Sequence, residues 1–361
     1  MTQHAKRGTV KGSLVVVLPV VLNSDVPKKA TRLLLKELEE QFSRTFLSLP
    51  WGQVAKLNAE RLASPKSYPA YALSKTRREL KAGRPHLLKV SVDVEAPNDA
   101  NCVWGDDTFV VAEHPQSALC SATERLFERV ALMAFASQLA APGYAHFPKT
   151  AGFINDQPWG VASEISWVLH EAWFTATKYG WPSISRLPLQ ETDAWLCGIP
   201  GILDGMGRGR TGRAIAALSR IVCSDINDSS EMGIAWSLLG LEALYADGSQ
   251  GSSQQILRKS EILLGPRNPK KPRLKGVYDY RSRFLHGSID IPLAYTRDSF
   301  DPPDQGKFMN DTYEYWGIAT CMLIATLQQM ILRNLGELTF SLTLDVPLAS
   351  TPESRNLKLL G

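Results

Sequence analysis

The sequence predicts an α+β protein: an N-terminal mixed α/β domain followed by an all-α helical bundle. Three observations carry this. Short β-branched apolar stretches with period two are concentrated in the first 115 residues. From about residue 212 to 336 the apolar residues recur with a helical period. Between the halves lies GIPGILDGMGRGRTG, residues 198–212, whose glycines mark a flexible junction. The division is 1–200 for the α+β part, 205–336 for the helical part, and 337–361 for a C-terminal strand and tail.

In the first part, strands are expected at 13–22, 86–96 (HLLKVSVDVEA, with alternating Leu and Val) and 107–113. Helices are expected at 29–46 and 117–140, the second ended by AAPG. The start of the chain has two readings. MTQHAKRGTVKG followed by LVVVLPVVL resembles the charged start and apolar core of a secretory signal. The run is also rich in valine, has no Ala-x-Ala-like cleavage site and ends in the turn-like NSD, so a buried first strand is the preferred reading. No apolar run approaches the roughly 20 residues needed to cross a bilayer, and no membrane partner is expected.

Residues 150–200 hold five of the nine tryptophans: Trp159, Trp167, Trp173, Trp181 and Trp195. Packing against the next domain is the plain reading, and an aromatic platform for nucleic-acid bases the alternative. In the second part, helices are expected near 212–223, 230–247, 253–265, 271–286 and 309–335, with LTFSLTLDVPL (338–348) alternating like a strand.

Five cysteines, an odd number and far apart, show no CxxC and no histidines at metal spacing. Free buried thiols in a reducing, cytoplasmic setting fit them. GxSxG, HExxH and EF-hand patterns are absent, so neither a metal nor a cofactor is expected. GMGRGRTG lacks the GK[ST] ending of a phosphate loop; a linker is the better account, although Arg208, Arg210 and Arg213 remain candidates for touching a phosphate backbone.

The chain has a net charge of only +4, yet residues 256–286 carry a net +7. Such a segment on a near-neutral protein is either a polyanion contact or a solvated lysine-rich loop. As a contact it would use Arg258, Lys270, Lys271, Arg273, Lys275 and Arg283 on a nucleic-acid backbone. Within it, YDYRSRFLHG places Arg281 in a stripe of Leu274, Val277, Tyr278, Phe284 and Leu285. A guanidinium there needs a partner. Glu242, bordering the stripe Ile234, Leu238, Leu241 and Tyr245 of an earlier helix, is the candidate. His286 precedes Gly287, a helix-ending residue, so His286 stands at a helix C-terminus, where the dipole favours its charged form.

LLGLEALY, a turn, QQILRKSEILLG, a basic linker and VYDYRSRFLHGS together resemble the HEPN family, Apea-like branch, over roughly 205–336. WPSISRLPLQETDAWL (181–196) is similar to what precedes the domain in that branch. The ordered set carries the resemblance; an arginine followed by a histidine with a spacing of four to six residues turns up about once by chance in a chain of this composition. The resemblance implies a HEPN-like helical bundle that dimerises and, in active members, cleaves RNA without metal. It implies Arg281 and His286 as the catalytic pair, with Glu242 at a recurrent acidic position; Ser282, Asp279 and Tyr278 are expected to support them, Tyr278 as a ring on which a base can stack. Ser282 stands where that family often has Asn, Asp or His, and it can hydrogen-bond but not transfer protons. Residues 281 and 286 point about 140° apart on an ideal helix, so either the helix loosens at its end or a second copy completes the site across a twofold axis, the option that agrees with the dimers the resemblance implies. A free-standing enzyme of this kind fits a toxin or anti-phage effector, with an antitoxin or trigger partner at the N-terminal domain. The alternative is an inactive HEPN-like module for dimerisation or RNA binding.

Overall fold

In the computed structural model the described residues are 9–62, 86–97, 103–104, 107–108, 115–148, 150–161, 169–223, 230–247, 252–267, 274–290 and 303–340. The protein is mixed α and β, with an N-terminal sheet and a helical C-terminal region.

The sheet is antiparallel throughout and runs β10-β9-β1-β5-β4. Its strands are β1 (Thr9–Leu22), β4 (Asn58–Leu62), β5 (His86–Pro97), β9 (Ala151–Ile154) and β10 (Gln157–Val161). Short strands β2 (Phe46–Ser48) and β3 (Val54–Lys56) form one hairpin, and β6 (Val103–Trp104) and β7 (Asp107–Thr108) another. The signal-like apolar run lies in the central strand β1, paired with β5 from Thr9 to Val20. Its even positions, Leu14, Val16, Leu18 and Val20, join the main core, and Val15 and Val17 join a small second cluster on the opposite face. Pro19, which cannot donate to a ladder, falls between the β1 residues paired with β9 (14–17) and those paired with β8 (Ala145–His146).

Helix α1 (Lys28–Arg44) buries Leu34, Leu35, Leu38 and Phe42. It ends two residues before the expected 46, because Thr45 is extended and the chain turns into β2. Helix α2 (Pro115–Ala140) lies against the sheet on one side and against α4 (Leu189–Gly198) on another. It is correspondingly apolar around most of its circumference. A buried ion pair locks α2 to α4: Arg129 donates from Nη1 and Nη2 to Asp193 Oδ1 and Oδ2 at 2.8 and 2.6 Å.

Residues 150–200 hold more regular structure than their tryptophans foretold: the hairpin β9–β10, then α3 (Leu169–Tyr179) and α4. Two of the tryptophans join this zone to the later helices. Trp181 donates to the Gly265 carbonyl at 3.1 Å, and Trp195 to that of Leu335 at 2.9 Å. Trp167 lies outside the described residues.

The expected flexible junction is a compact turn. Residues Ile202–Asp204 form a short 3-10 helix, and α5 (Gly209–Val222) starts at once. A side chain on Gly207 would sit 2.3 Å from the Gly212 carbonyl oxygen, so glycine serves a close backbone approach here. Arg210, expected on a phosphate if anywhere, donates instead to the carbonyls of Ala243 (2.9 Å), Leu244 (3.2 Å) and Ala246 (2.5 Å). It caps the orphan carbonyls at the end of α6 (Ser230–Tyr245).

Helices α5 to α9 follow, with α7 at Ser252–Leu264, α8 at Leu274–Leu285 and α9 at Pro303–Leu332. Each lies within three residues of the expectation at its start, apart from α9, which begins six residues earlier than 309. Helix α9 is the axis, packed by α3, α6, α7 and α8. Its stretch Gly306–Leu332 is long and apolar enough to cross a bilayer, which the reading for uninterrupted apolar runs overlooked. Of that stretch's most apolar window, 83% is buried inside the protein. Its polar residues pair internally: Thr320 with Ser237 and Thr326 with Tyr245, both at 2.8 Å, while Gln328 donates to the carbonyls of Leu139 and Ser185. One continuous apolar core runs from β1 to Leu338. Residues 338–340 of the expected terminal strand are not in a strand, and 341–348 lie outside the described residues.

Candidate functional site

Helix α8 faces the core through Val277 and Tyr280. Tyr280 bonds Thr312 of α9 and packs on Tyr315. The expected stripe needs correcting: Tyr280 belongs in it, and Leu285, the last residue of the helix, does not, being 55% exposed. Arg281 shares a helical face with Val277 and Phe284, four residues after one and three before the other. Its side chain leans toward α6, where Nη1 donates to Glu242 Oε1 at 3.2 Å; both side chains are about three-quarters buried. The partner assigned from the sequence is the partner observed.

The pair is incompletely satisfied. Arg281 Nε is buried with no partner among the described residues, and so is the Tyr278 hydroxyl. Burial, reinforced by the Glu242 charge and opposed by Arg281, pushes the Tyr278 phenol well above its usual range. Tyr278 is therefore a neutral O–H donor at any physiological pH. Buried polar groups without partners are uncommon. Here two of them adjoin one ion pair.

The end of α8 is a Schellman motif. Ser288 N–H bonds the Arg283 carbonyl at 2.7 Å and Gly287 N–H bonds the Phe284 carbonyl at 3.2 Å. Gly287 adopts φ +67°, a left-handed conformation that glycine takes without strain. His286 is the residue just before it and is exposed, as are Asp279, Ser282 and Arg283. The five-residue spacing thus separates the pair by environment as well as angle: Arg281 is largely buried against α6, and His286 stands in solvent at the helix end.

The basic segment divides. Arg258 and Arg283 are exposed. Lys259 is consumed internally, donating to the Tyr245 carbonyl at 2.7 Å and to Gln255 at 2.8 Å, and Arg267 pairs with Glu261 at 2.7 Å. Lys270, Lys271, Arg273 and the Lys275 side chain lie outside the described residues.

Two cations, Arg210, which the sequence offered for a phosphate backbone, and Lys259, which it assigned no role, converge on the C-terminus of α6, just beyond Glu242. The only sequence signal was an arginine in a glycine-rich run and a lysine in a basic one, and both suggested phosphate or solvent. Among the described residues no cluster of three or more His, Cys, Asp or Glu could hold a metal ion, and Cys120, Cys197, Cys223 and Cys321 are free thiols. No family model, curated protein or solved structure matches this chain.

Proposed function

We propose that the protein is a HEPN-type endoribonuclease that cleaves RNA by attack of the 2′-OH and needs no metal. The observation that carries the reading is the placement of α8: Arg281 is oriented by Glu242 of α6, and His286 is presented to solvent by the Schellman end of the same helix. Such cleavage needs a base for the 2′-OH, an acid for the leaving 5′ oxygen and a cation for the crowded phosphorane. The two ring nitrogens of an imidazole let it serve as base or acid. A guanidinium held by one carboxylate oxygen keeps other N–H donors for phosphate oxygens. Exposed Arg258 and Arg283 supply charge for the flanking backbone. Because Arg281 and His286 of one chain diverge, two copies related by a twofold axis supply one site, Arg281 from one and His286 from the other. A cytoplasmic toxin or defence effector is the setting this implies, by analogy alone.

The test is RNA incubated with purified protein in EDTA. Cleavage leaving 2′,3′-cyclic phosphate ends, lost in Arg281→Ala and His286→Ala, supports the proposal; cleavage only with added metal refutes it. A second reading rests on the burial of the Arg281–Glu242 pair: a non-catalytic RNA-binding or dimerisation module in which the pair fixes the register of α6 and α8. RNA bound but not cut, with Arg281→Ala mainly lowering the melting temperature, selects that reading.

A further inference from the structure

A cavity of about 330 Å³ opens between α2, the turn at 202–207 and α5, lined by none of the residues of the proposed RNA site. Leu132 and Phe135 of α2 form one wall and Ile215 of α5 another; Leu203 and Met206 of the turn close the third. Those last two are 55% and 58% exposed, among the more exposed large apolar side chains described. Both are wet, and both face one cavity.

The turn holding them is built, not loose. Asp204 and Met206 N–H groups both bond the Gly201 carbonyl, at 3.0 and 2.8 Å, and Gly205 N–H bonds that of Ile202 at 3.1 Å. Leu203 and Met206 are therefore kept out of the core by fixed backbone, and the cavity is preformed. Preformed, mainly apolar concavities of this size are the usual sites for small molecules, and a helical partner would need a longer groove with several anchors in register.

The charges around it are spent on one another. Both Arg129 Nη groups bond Asp193, and Glu128 is engaged by Arg125 at 3.1 Å. The remaining polar features are the Ser219 hydroxyl, which donates to the Ala216 carbonyl at 2.7 Å and so offers a lone pair, and the Cys223 thiol. Among the described lining residues no charge is left without a partner, and Arg220, whose charge reaches the Cys223 thiol, lies outside the lining; an apolar ligand would lose little.

We infer that this cavity binds a small, uncharged, predominantly apolar molecule, held between Leu203 and Met206 on one side and α2 on the other. Because α2 also packs on the sheet and α5 on α6, the occupant would bridge the sheet half and the helical half of the protein. The inference is independent of RNA cleavage.

The neutral probe N-phenyl-1-naphthylamine tests it. Wild type is expected to bind the probe saturably at one site, and alkylation of Cys223 by N-ethylmaleimide, followed by peptide mass spectrometry, to slow at least fivefold when the site is filled. Ala131, exposed on α2 at the cavity wall, fills the space when changed: Ala131→Trp should weaken probe binding at least tenfold with unchanged circular dichroism and melting temperature. Met206→Ser, at an exposed position, gives a second reading should the first variant misfold. Equal binding by these variants, unslowed Cys223 alkylation, or a wild-type dimer that already shields Cys223 without probe would overturn the proposal, the last by making this face an interface between copies.

Discussion

Arg281 on α8 reaches Glu242 on α6 across 39 positions of sequence, Nη1 to Oε1 at 3.2 Å. Each side chain is about a quarter exposed. Removing one partner leaves the other partly desolvated, so Arg281→Met or Glu242→Leu should cost about 1–2 kcal/mol, and the pair should show a coupling of about 1 kcal/mol in a double-mutant cycle. Urea denaturation of the four proteins measures both. Additive single effects would show that the ion pair carries no energy of its own.

His286 is exposed and touches little, so His286→Ala should change stability by less than about 0.5 kcal/mol. Under the proposed function it should nonetheless lower RNA cleavage at least 100-fold. If two copies build one site, specific activity should rise with protein concentration, and a mixture of Arg281→Ala and His286→Ala chains should recover part of it. Failure of the mixture to cleave, with dimers present, argues against a shared site.

Gly287→Ala probes the end of α8 separately. No atom lies within 4 Å of where a Cβ would be, so the cost is backbone strain alone at φ +67°, about 1 kcal/mol, with Gly287→Asn cheaper. Because the motif sets the direction of His286, cleavage should fall further than this stability loss explains. Thermal melting and cleavage assays on both variants check the difference.

The Arg129–Asp193 pair is more buried, with side chains 11% and 4% exposed, and Asp193 also accepts from Gln41 of α1. Asp193→Ala should cost about 3–5 kcal/mol by leaving a buried guanidinium unpaired. The double change Arg129→Met with Asp193→Leu should recover much of that loss. Urea denaturation decides; an unrecovered double variant would mean that the site cannot accept apolar packing.

Stability should also decline below neutral pH through His86. Burial, aided by the charges of Arg61 and Arg32, holds its imidazole below the usual value near 6.5. The unfolded chain then takes up a proton at a higher pH than the folded one does. Stability is complete above about pH 6.5 and falls as pH drops from there through the lower folded value. His86→Gln should flatten that part of the profile, as followed by melting temperature between pH 7.5 and 5. The residue is largely exposed, so the effect is small.

Local pattern sufficed for much of the fold. The valine run of β1, the Leu/Val alternation of β5 and the five C-terminal helices follow from period alone, because each buries a face whose spacing is written in consecutive residues. The Arg281–Glu242 pair was legible for the same reason: a charge on each of two apolar stripes has few other places to go. The roles of Arg210 and Lys259 were not legible, since their partners are backbone carbonyls at the end of α6, and carbonyls carry no sequence signal. The 198–212 glycines read as looseness because composition cannot show that Gly207 and Gly212 touch. By itself, then, the sequence determined which residues are apolar, periodic and charged. Only the tertiary structure decided which charges are spent on one another and which face solvent, because desolvation and pairing are set by neighbours distant along the chain.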